Sequence, residues 1–331
     1  MNGARLISAR NVNDAFSDAL WWLHVAGKLE ESRNGPVIVA PGPVLTEYAR
    51  PQERVLFSPA RNANPFFHLM EALWMLGGRN DVEWISRYNQ RMKTYSDDGE
   101  YLHGAYGFRW REWFGFDQLQ VLIEHLQRYP DSRRAVLEMW SANGDLITSE
   151  GVGGLSSKDL PCNTHCYFDL RGGRLNMSVL CRSNDAIWGA YGANAVHFSV
   201  LQEYVAGKLG TQVGRLHQYS HNLHIYTAKF EEDTLRRLRL GARNDHYCDA
   251  VFPLPLQSGE PGWDEDLTAF LAGVAQSFRT QFFRAVARPL RLAWACYRER
   301  NFEEALSYVD DCYAEDWKLA CRAWLERRGA S

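Results

Sequence analysis

The sequence predicts an α+β protein in which a mixed β-sheet packs against long helices within one domain. Three observations predict it. From Cys166 to Arg182 apolar and polar residues alternate with the period of a strand, while segments before and after it repeat at helical spacing. No linker, repeat or low-complexity run divides the 331 residues.

Residues 12–29 have helical periodicity and give way to a turn at Arg33, Asn34 and Gly35, then to an extended stretch, Pro36 to Ala40. The next helix is punctuated at both ends: Asn64 is placed to cap it, Pro65 takes the first helical position, and Gly77 and Gly78 end it. A further helix is expected over residues 116–127, followed by a strand over 134–140 between Ser132 and Ser141. Arg171-Gly172-Gly173-Arg174 reads as the turn of a hairpin joining residues 167–170 to 175–181. Val196, Val200, Leu201, Tyr204, Val205 and Leu209 mark a helix, and amphipathic helices follow Trp263. The expected organisation is a single domain, 1–331, with an extra helical region at about 263–331.

With 46% hydrophobic residues, 23% charged residues and 12 Trp, 15 Tyr and 16 Phe, the chain has enough apolar surface to offset the entropy of ordering. The longest apolar runs, such as Leu267 to Ala275, fall short of the ~20 residues needed to cross a bilayer. Arg5, Arg10, Asn13 and Asp14 interrupt any leader-like N-terminal core. A net charge of −3 offers no long-range pull toward nucleic acid or lipid. Seven irregularly spaced cysteines suit free thiols in a reducing cytoplasm. Arginines outnumber lysines 31 to 6, which suits a phosphorylated ligand or reflects codon bias.

Several residues carry candidate chemistry. Glu71 interrupts an otherwise apolar helix, Phe66 to Leu76, where a carboxylate needs a partner or a proton; it is either a general acid/base or one half of a salt bridge to an arginine. Cys162 follows a glycine-rich loop and Pro161 at the mouth of a strand, and is either a nucleophilic thiolate or an inert core thiol. Arg182 with Ser183 makes a compact anion grip, and Arg133-Arg134 is a second basic pair; each alternatively reads as surface charge. His217 and His221 have the spacing of a helical metal pair, but match no standard zinc site, and no metal is expected.

In order, Glu71-Ala72-Leu73-Trp74, Tyr106-Gly107-Phe108-Arg109-Trp110, Ser132-Arg133-Arg134, Leu160-Pro161-Cys162, Arg182-Ser183-Asn184-Asp185 with Gly189, and His224-Ile225-Tyr226 resemble the thymidylate synthase family. The resemblance runs from about Arg33 to Tyr226. It implies a homodimer packed sheet against sheet, acting on a pyrimidine nucleotide with 5,10-methylenetetrahydrofolate as one-carbon donor. It also implies that Cys162 adds to C6 of the base, with Glu71 managing protons and water and Tyr106 as the active-site tyrosine. Arg182 and Ser183, with Arg33 beside them, would grip the nucleotide phosphate, which Arg133 and Arg134 would reach from the partner subunit. Asp185 would contact folate, and His224 and Tyr226 the sugar.

The departures concern base reading and the final step. The family's Pro-Cys-His is Pro-Cys-Asn at Asn163; in its Gly-x-Pro-Phe-Asn segment the asparagine is either displaced by one to Asn194 or lost at Ala193. The shielding tryptophans have no counterpart between Asn89 and Ser96, and an apolar closing tail is not found at 326–331. A wetter site adds water where a synthase transfers hydride. The chain is therefore identified with the nucleotide hydroxymethylase branch. It looks most similar to the cytidylate (CMP or dCMP) 5-hydroxymethylases, among them the CMP enzyme of nucleoside-antibiotic biosynthesis. A divergent thymidylate synthase, a dUMP hydroxymethylase and an inactive nucleotide-binding member are the alternatives.

Overall fold

In the computed structural model, which describes residues 3–32, 34–148, 151–152, 157–230, 232–240, 244–274 and 277–329, the chain begins with strand β1 (Arg5–Ala9) and helix α1 (Val12–Ala26). Asn11 caps α1 by accepting the Asn13 and Asp14 N–H groups. The helix ends before the expected Leu29 because Gly27 turns extended while its N–H still reaches Leu23 O. Lys28–Ser32 instead forms the exposed strand β2, paired antiparallel with β3 (Gly35–Val39); β4 (Val44–Tyr48) follows.

Helix α2 (Pro65–Leu76) has the predicted punctuation: Asn64 Oδ1 accepts the Phe67 N–H at 3.1 Å, and the Gly77 N–H closes on Leu73 O. Every residue of α2 is buried except Glu71, which is half-buried. The short α3 (Val82–Ile85) and α4 (Tyr106–Phe108) come next, α4 running into a π-helical turn, Arg109–Trp113. Helix α5 (Gln118–Arg128) starts later than the expected Phe116 because Asp117 caps it. Strand β5 (Val136–Glu138) is shorter than expected, since the Arg134 N–H turns back to Ser132 Oγ.

After the small ribbon β6 (Ile147–Thr148) and β7 (Gly151–Val152), the predicted hairpin forms from β8 (Asn163–Arg171) and β9 (Arg174–Cys181). Gly172 and Gly173 take φ of 56° and 73° at its turn, where a side chain would be strained. Strand β10 (Asn184–Asp185) leads into a π-helix, Ala186–Ala193, then α6 (Asn194–Lys208), β11 (Gln212–Ser220) and β12 (Leu223–Tyr226). His217 therefore lies on a strand, 3.2 Å from Glu47, and not on a helix with His221. Helices α7 (Glu232–Leu240), α8 (Trp263–Ala272), α9 (Arg288–Arg298), α10 (Phe302–Asp310) and α11 (Glu315–Gly329) complete the chain.

The architecture is α+β, with a mixed six-stranded sheet, β1-β4-β11-β9-β8-β5, and a second sheet, β10-β12-β3-β2. Residues from β1 through α11 share one continuous hydrophobic core. The C-terminal helices join it through aromatic rings: Trp294 and Trp324 both lie against Phe66 of α2, at 5.5 and 5.7 Å between centroids. No helix among the described residues is long and apolar enough to cross a membrane.

One buried ion pair holds the Tyr106 motif in register. Arg109, fully buried, donates to both Asp145 oxygens at 2.8 and 2.9 Å, and His103 Nε2 lies 2.8 Å from Oδ1. Burial pushes the Asp145 carboxyl up, but the His103, Arg109 and Ser141 hydrogen bonds together outweigh it and hold the pKa at about 2. A depressed carboxylate stabilises the fold fully above its unfolded pKa of about 3.9. That contribution is lost as pH falls toward about 2. Asp145→Asn leaves Arg109 buried without its counter-charge and is expected to cost about 3–5 kcal/mol in urea unfolding at pH 7. The difference between variant and wild type should shrink between pH 4 and pH 2.

Candidate active site

The hairpin register creates the first part of the site. Asn163 pairs with Cys181, so Cys162 and Arg182, one residue beyond the open end on each strand, become neighbours. Arg182 binds the loop by its backbone and its fork: its N–H donates to Cys162 O at 2.9 Å, Nε to Pro161 O at 2.9 Å and Nη2 to Leu160 O at 3.3 Å. Nη2 also lies 4.0 Å from Cys162 Sγ, and the guanidinium stacks over Trp140. Cys162 is half-exposed, whereas Cys166 and Cys181 are buried with thiols pushed above their usual range. The expectation of an accessible sulfur beside a cation matches this placement, and Ser183 is half-buried next to it.

The register slips between Asn163 and His165, a bulge that leaves Thr164 unpaired and buries both Asn163 and Cys166. The Asn163 N–H donates to the Tyr106 hydroxyl at 3.3 Å, while both atoms of its side-chain amide are buried without a hydrogen-bond partner. Burial pushes the Tyr106 hydroxyl well up, helped by the neighbouring Cys162 and Cys181.

Beyond Tyr106 opens a cleft of about 670 Å³, walled by α2, the Tyr106 motif, the π-helix and α11. Glu71, Tyr106, Trp188, Ala193, Asn194 and Trp324 line it. Cys162 stands at the Tyr106 end of the cleft, off this wall. Among the described residues Glu71 pairs with a histidine and with no arginine: its Oε2 lies 2.9 Å from His197 Nε2 of α6. The two atoms are close enough for an ion pair but are not aligned as a hydrogen bond. Both, with His197 Nδ1, are buried and lack a hydrogen-bond partner. Sequence reasoning missed His197; its placement three residues after Asn194 on a buried helix face was the available signal. Arg61 was missed as well. It donates from Nε to Ile187 O at 2.7 Å, and burial lowers its pKa to about 10, opposed by Asp185.

The one-residue displacement seen in the sequence falls at the junction of the π-helix and α6. Ala193, the last residue of the π-helix, and Asn194, the first of α6, both line the cleft. The Asn194 amide donates to Asn184 Oδ1 at 3.1 Å, and Asn184 donates in turn to Ser220 Oγ at 3.0 Å.

Asp185 caps the π-helix with Oδ1, accepting the Ile187 and Trp188 N–H groups, while Oδ2 is buried without a partner. Burial raises its pKa against those hydrogen bonds, His224 and Arg61. His224 faces Asp185 across the β10–β12 pair; burial lowers its pKa, and its Nδ1 meets Asn222 Oδ1 at 2.9 Å. Tyr226 packs edge-on to His224 at 4.9 Å, and Asn34 donates to its hydroxyl. Arg133 and Arg134 are exposed between α5 and β5 and do not line the cleft. Arg33 lies outside the described residues. Among the described residues no group of three or more His, Cys, Asp or Glu side chains is arranged to hold a metal ion.

The chain is 47% identical to a deoxyuridylate hydroxymethyltransferase of Pseudomonas phage M6, over 99% of this chain and 95% of that protein. It is 39% identical to a protein of the same name from Bacillus phage SP01, over 58% of this chain and 52% of that protein. A third, from Delftia phage PhiW-14, is 31% identical over 72% and 67%. These relatives give the cytidylate expectation, and its link to antibiotic biosynthesis, no support. A family model described as thymidylate synthase matches residues 60–242, the stretch that carries Glu71, Cys162, Arg182 and Asn194. By that match and by its likeness to the M6 protein along nearly its whole length, this chain belongs to the thymidylate synthase family.

Proposed function

We propose that the protein is a deoxyuridylate 5-hydroxymethyltransferase, joining a one-carbon unit from 5,10-methylenetetrahydrofolate to C5 of dUMP and completing the group with water. The observation that carries this reading is Asn194, on the cleft wall at the start of α6. One of its N–H groups is committed to Asn184. Its Oδ1 and second N–H suit the N3–H and O4 of uracil, a donor beside an acceptor. The names of the three relatives point the same way.

Cys162 Sγ adds to C6, which turns C5 into a carbon nucleophile. Arg182 beside the sulfur favours its thiolate, and with Ser183 it holds the 5′-phosphate by charge-assisted hydrogen bonds. Tyr106, with Asn163 and Ala193, shapes the base pocket, while His224 and Tyr226 bind the sugar hydroxyl. The folate supplies the carbon. Asp185 Oδ2, a buried acceptor without a partner, suits the donor edge of its pterin, and Trp188 and Trp324 give the cleft aromatic walls.

The reading includes a homodimer. The outer face of the six-stranded sheet exposes Leu6, Val136 and Tyr167, an apolar surface for a second copy. Arg133 and Arg134 are exposed at the edge of the same sheet, beside β5, and would reach the partner's phosphate site.

Incubation with dUMP, formaldehyde and tetrahydrofolate should give a product heavier by CH2O without dihydrofolate, whereas dCMP and CMP should remain unchanged by mass spectrometry. Thymidylate with stoichiometric dihydrofolate would defeat the proposal. Cys162→Ala should abolish tritium release from C5 of labelled dUMP while nucleotide binding persists. Arg182→Gln should lower kcat/KM for dUMP roughly 10- to 100-fold, the size of one or two charged hydrogen bonds. It should also slow alkylation of Cys162 relative to the exposed Cys248.

A further inference from the structure

We propose that His197 is the positioning residue for Glu71, holding the proton that Glu71 takes from the water that completes the hydroxymethyl group. The inference rests on the hydroxymethyltransferase reading and deepens it. Three features carry it. Glu71 is the half-buried member of an otherwise buried helix and faces the cleft. His197 Nε2 stands 2.9 Å from its Oε2, and His197 lines the same cleft. The facing atoms, and His197 Nδ1, are buried without hydrogen-bond partners. A purely structural buried pair closes its hydrogen bonds, because leaving them open costs stability. Glu71, half-buried on the cleft wall, can meet a reacting water, while the unclosed atoms between it and His197 stay withdrawn from solvent and available to the proton it takes.

Placement adds to this. His197 follows Asn194 by one helical turn, so the residue that reads the base edge and the residue that serves Glu71 share a face of α6. His68, one turn before Glu71 on α2, and Arg61 complete the ionisable surroundings: burial, Arg61 and His197 together hold His68 neutral. His197 is thus the partner left to share a proton with the carboxylate.

The step balances as follows. Once the carbon has been joined, loss of the C5 proton breaks the bond from that carbon to the folate nitrogen and releases tetrahydrofolate, so the base carries an exocyclic methylene at C5 while Cys162 remains bonded to C6. The water oxygen bonds to the methylene carbon as its proton passes to Glu71. The methylene π pair moves into the ring as an enolate on O4. Collapse of the enolate restores the C5–C6 double bond and expels the Cys162 thiolate. The proton shared between Glu71 and His197 then returns to solvent through the open cleft.

The test compares wild type, His197→Ala and His197→Gln in the intact chain with dUMP, formaldehyde and tetrahydrofolate. For His197→Ala the expected result is a retained single-turnover burst of tritium release from C5, with steady-state kcat for hydroxymethyl product down roughly 10- to 100-fold. KM for dUMP should stay near wild type, and added imidazole should restore turnover. If the alanine variant does not fold, His197→Gln with a wild-type melting curve should show the same loss of kcat. Wild-type turnover in either folded variant overturns the role, as does a lost tritium burst or a defect in a folded alanine variant that imidazole does not mend. A wild-type enzyme that makes thymidylate overturns the function itself and this role with it; a hydroxymethylating wild type with an unimpaired variant overturns the role alone.

Discussion

The site depends on the register of a single hairpin. Because strand side chains alternate faces, a slip of β8 by one residue along β9 would turn Asn163 outward while Cys181 stayed inward, and would part Cys162 from Arg182. The turn glycines, the alternation of Leu175, Met177, Val179 and Cys181 into the core, and the bulge at Thr164 all hold that register. The three donations from Arg182 to the 160–162 segment then lock the loop onto the hairpin. Cys162 and Arg182 are thus set by backbone pairing, and little side-chain entropy remains to be lost should an anion bind Arg182.

The second constraint is the burial of α2. A helix enclosed on every side but one leaves a single azimuth for a polar residue, and Glu71 occupies it. Its neighbours on that azimuth come from α6, whose start is displaced by the preceding π turn. Gly107 seals the other flank: a Cβ there would fall 2.0 Å from Met75 O, so the Tyr106 motif can lie directly on the backbone of α2. Tyr106 and Glu71 are therefore fixed relative to each other by backbone contact as well as by side-chain packing.

Much of this was legible in the residues themselves. Asn64, Pro65 and Gly77 announced α2, and the Gly172-Gly173 turn with its alternating flanks announced the hairpin; both signals are local. Cys162, Arg182 and Glu71 stood out because each breaks its local pattern. The partner of Glu71 did not: its one signal was its spacing from Asn194 on a buried helix face, and the α2–α6 crossing that gives that spacing meaning is a tertiary fact. The position of Asn194 is hard to read for a related reason. Counting residues assumes a constant helical pitch, and a π turn changes it. The expectation of cytosine followed from that count.

Helix α11 places Trp324 and Arg328 on the cleft wall opposite residues of α2, although a long stretch of chain separates them in sequence. Its beginning is fastened by Asp316, whose carboxyl is raised to about 6 by burial and which accepts the Tyr247 hydroxyl at 2.9 Å. The cleft is consequently complete only when α11 is docked, and whatever binds the finished cleft also stabilises that docking.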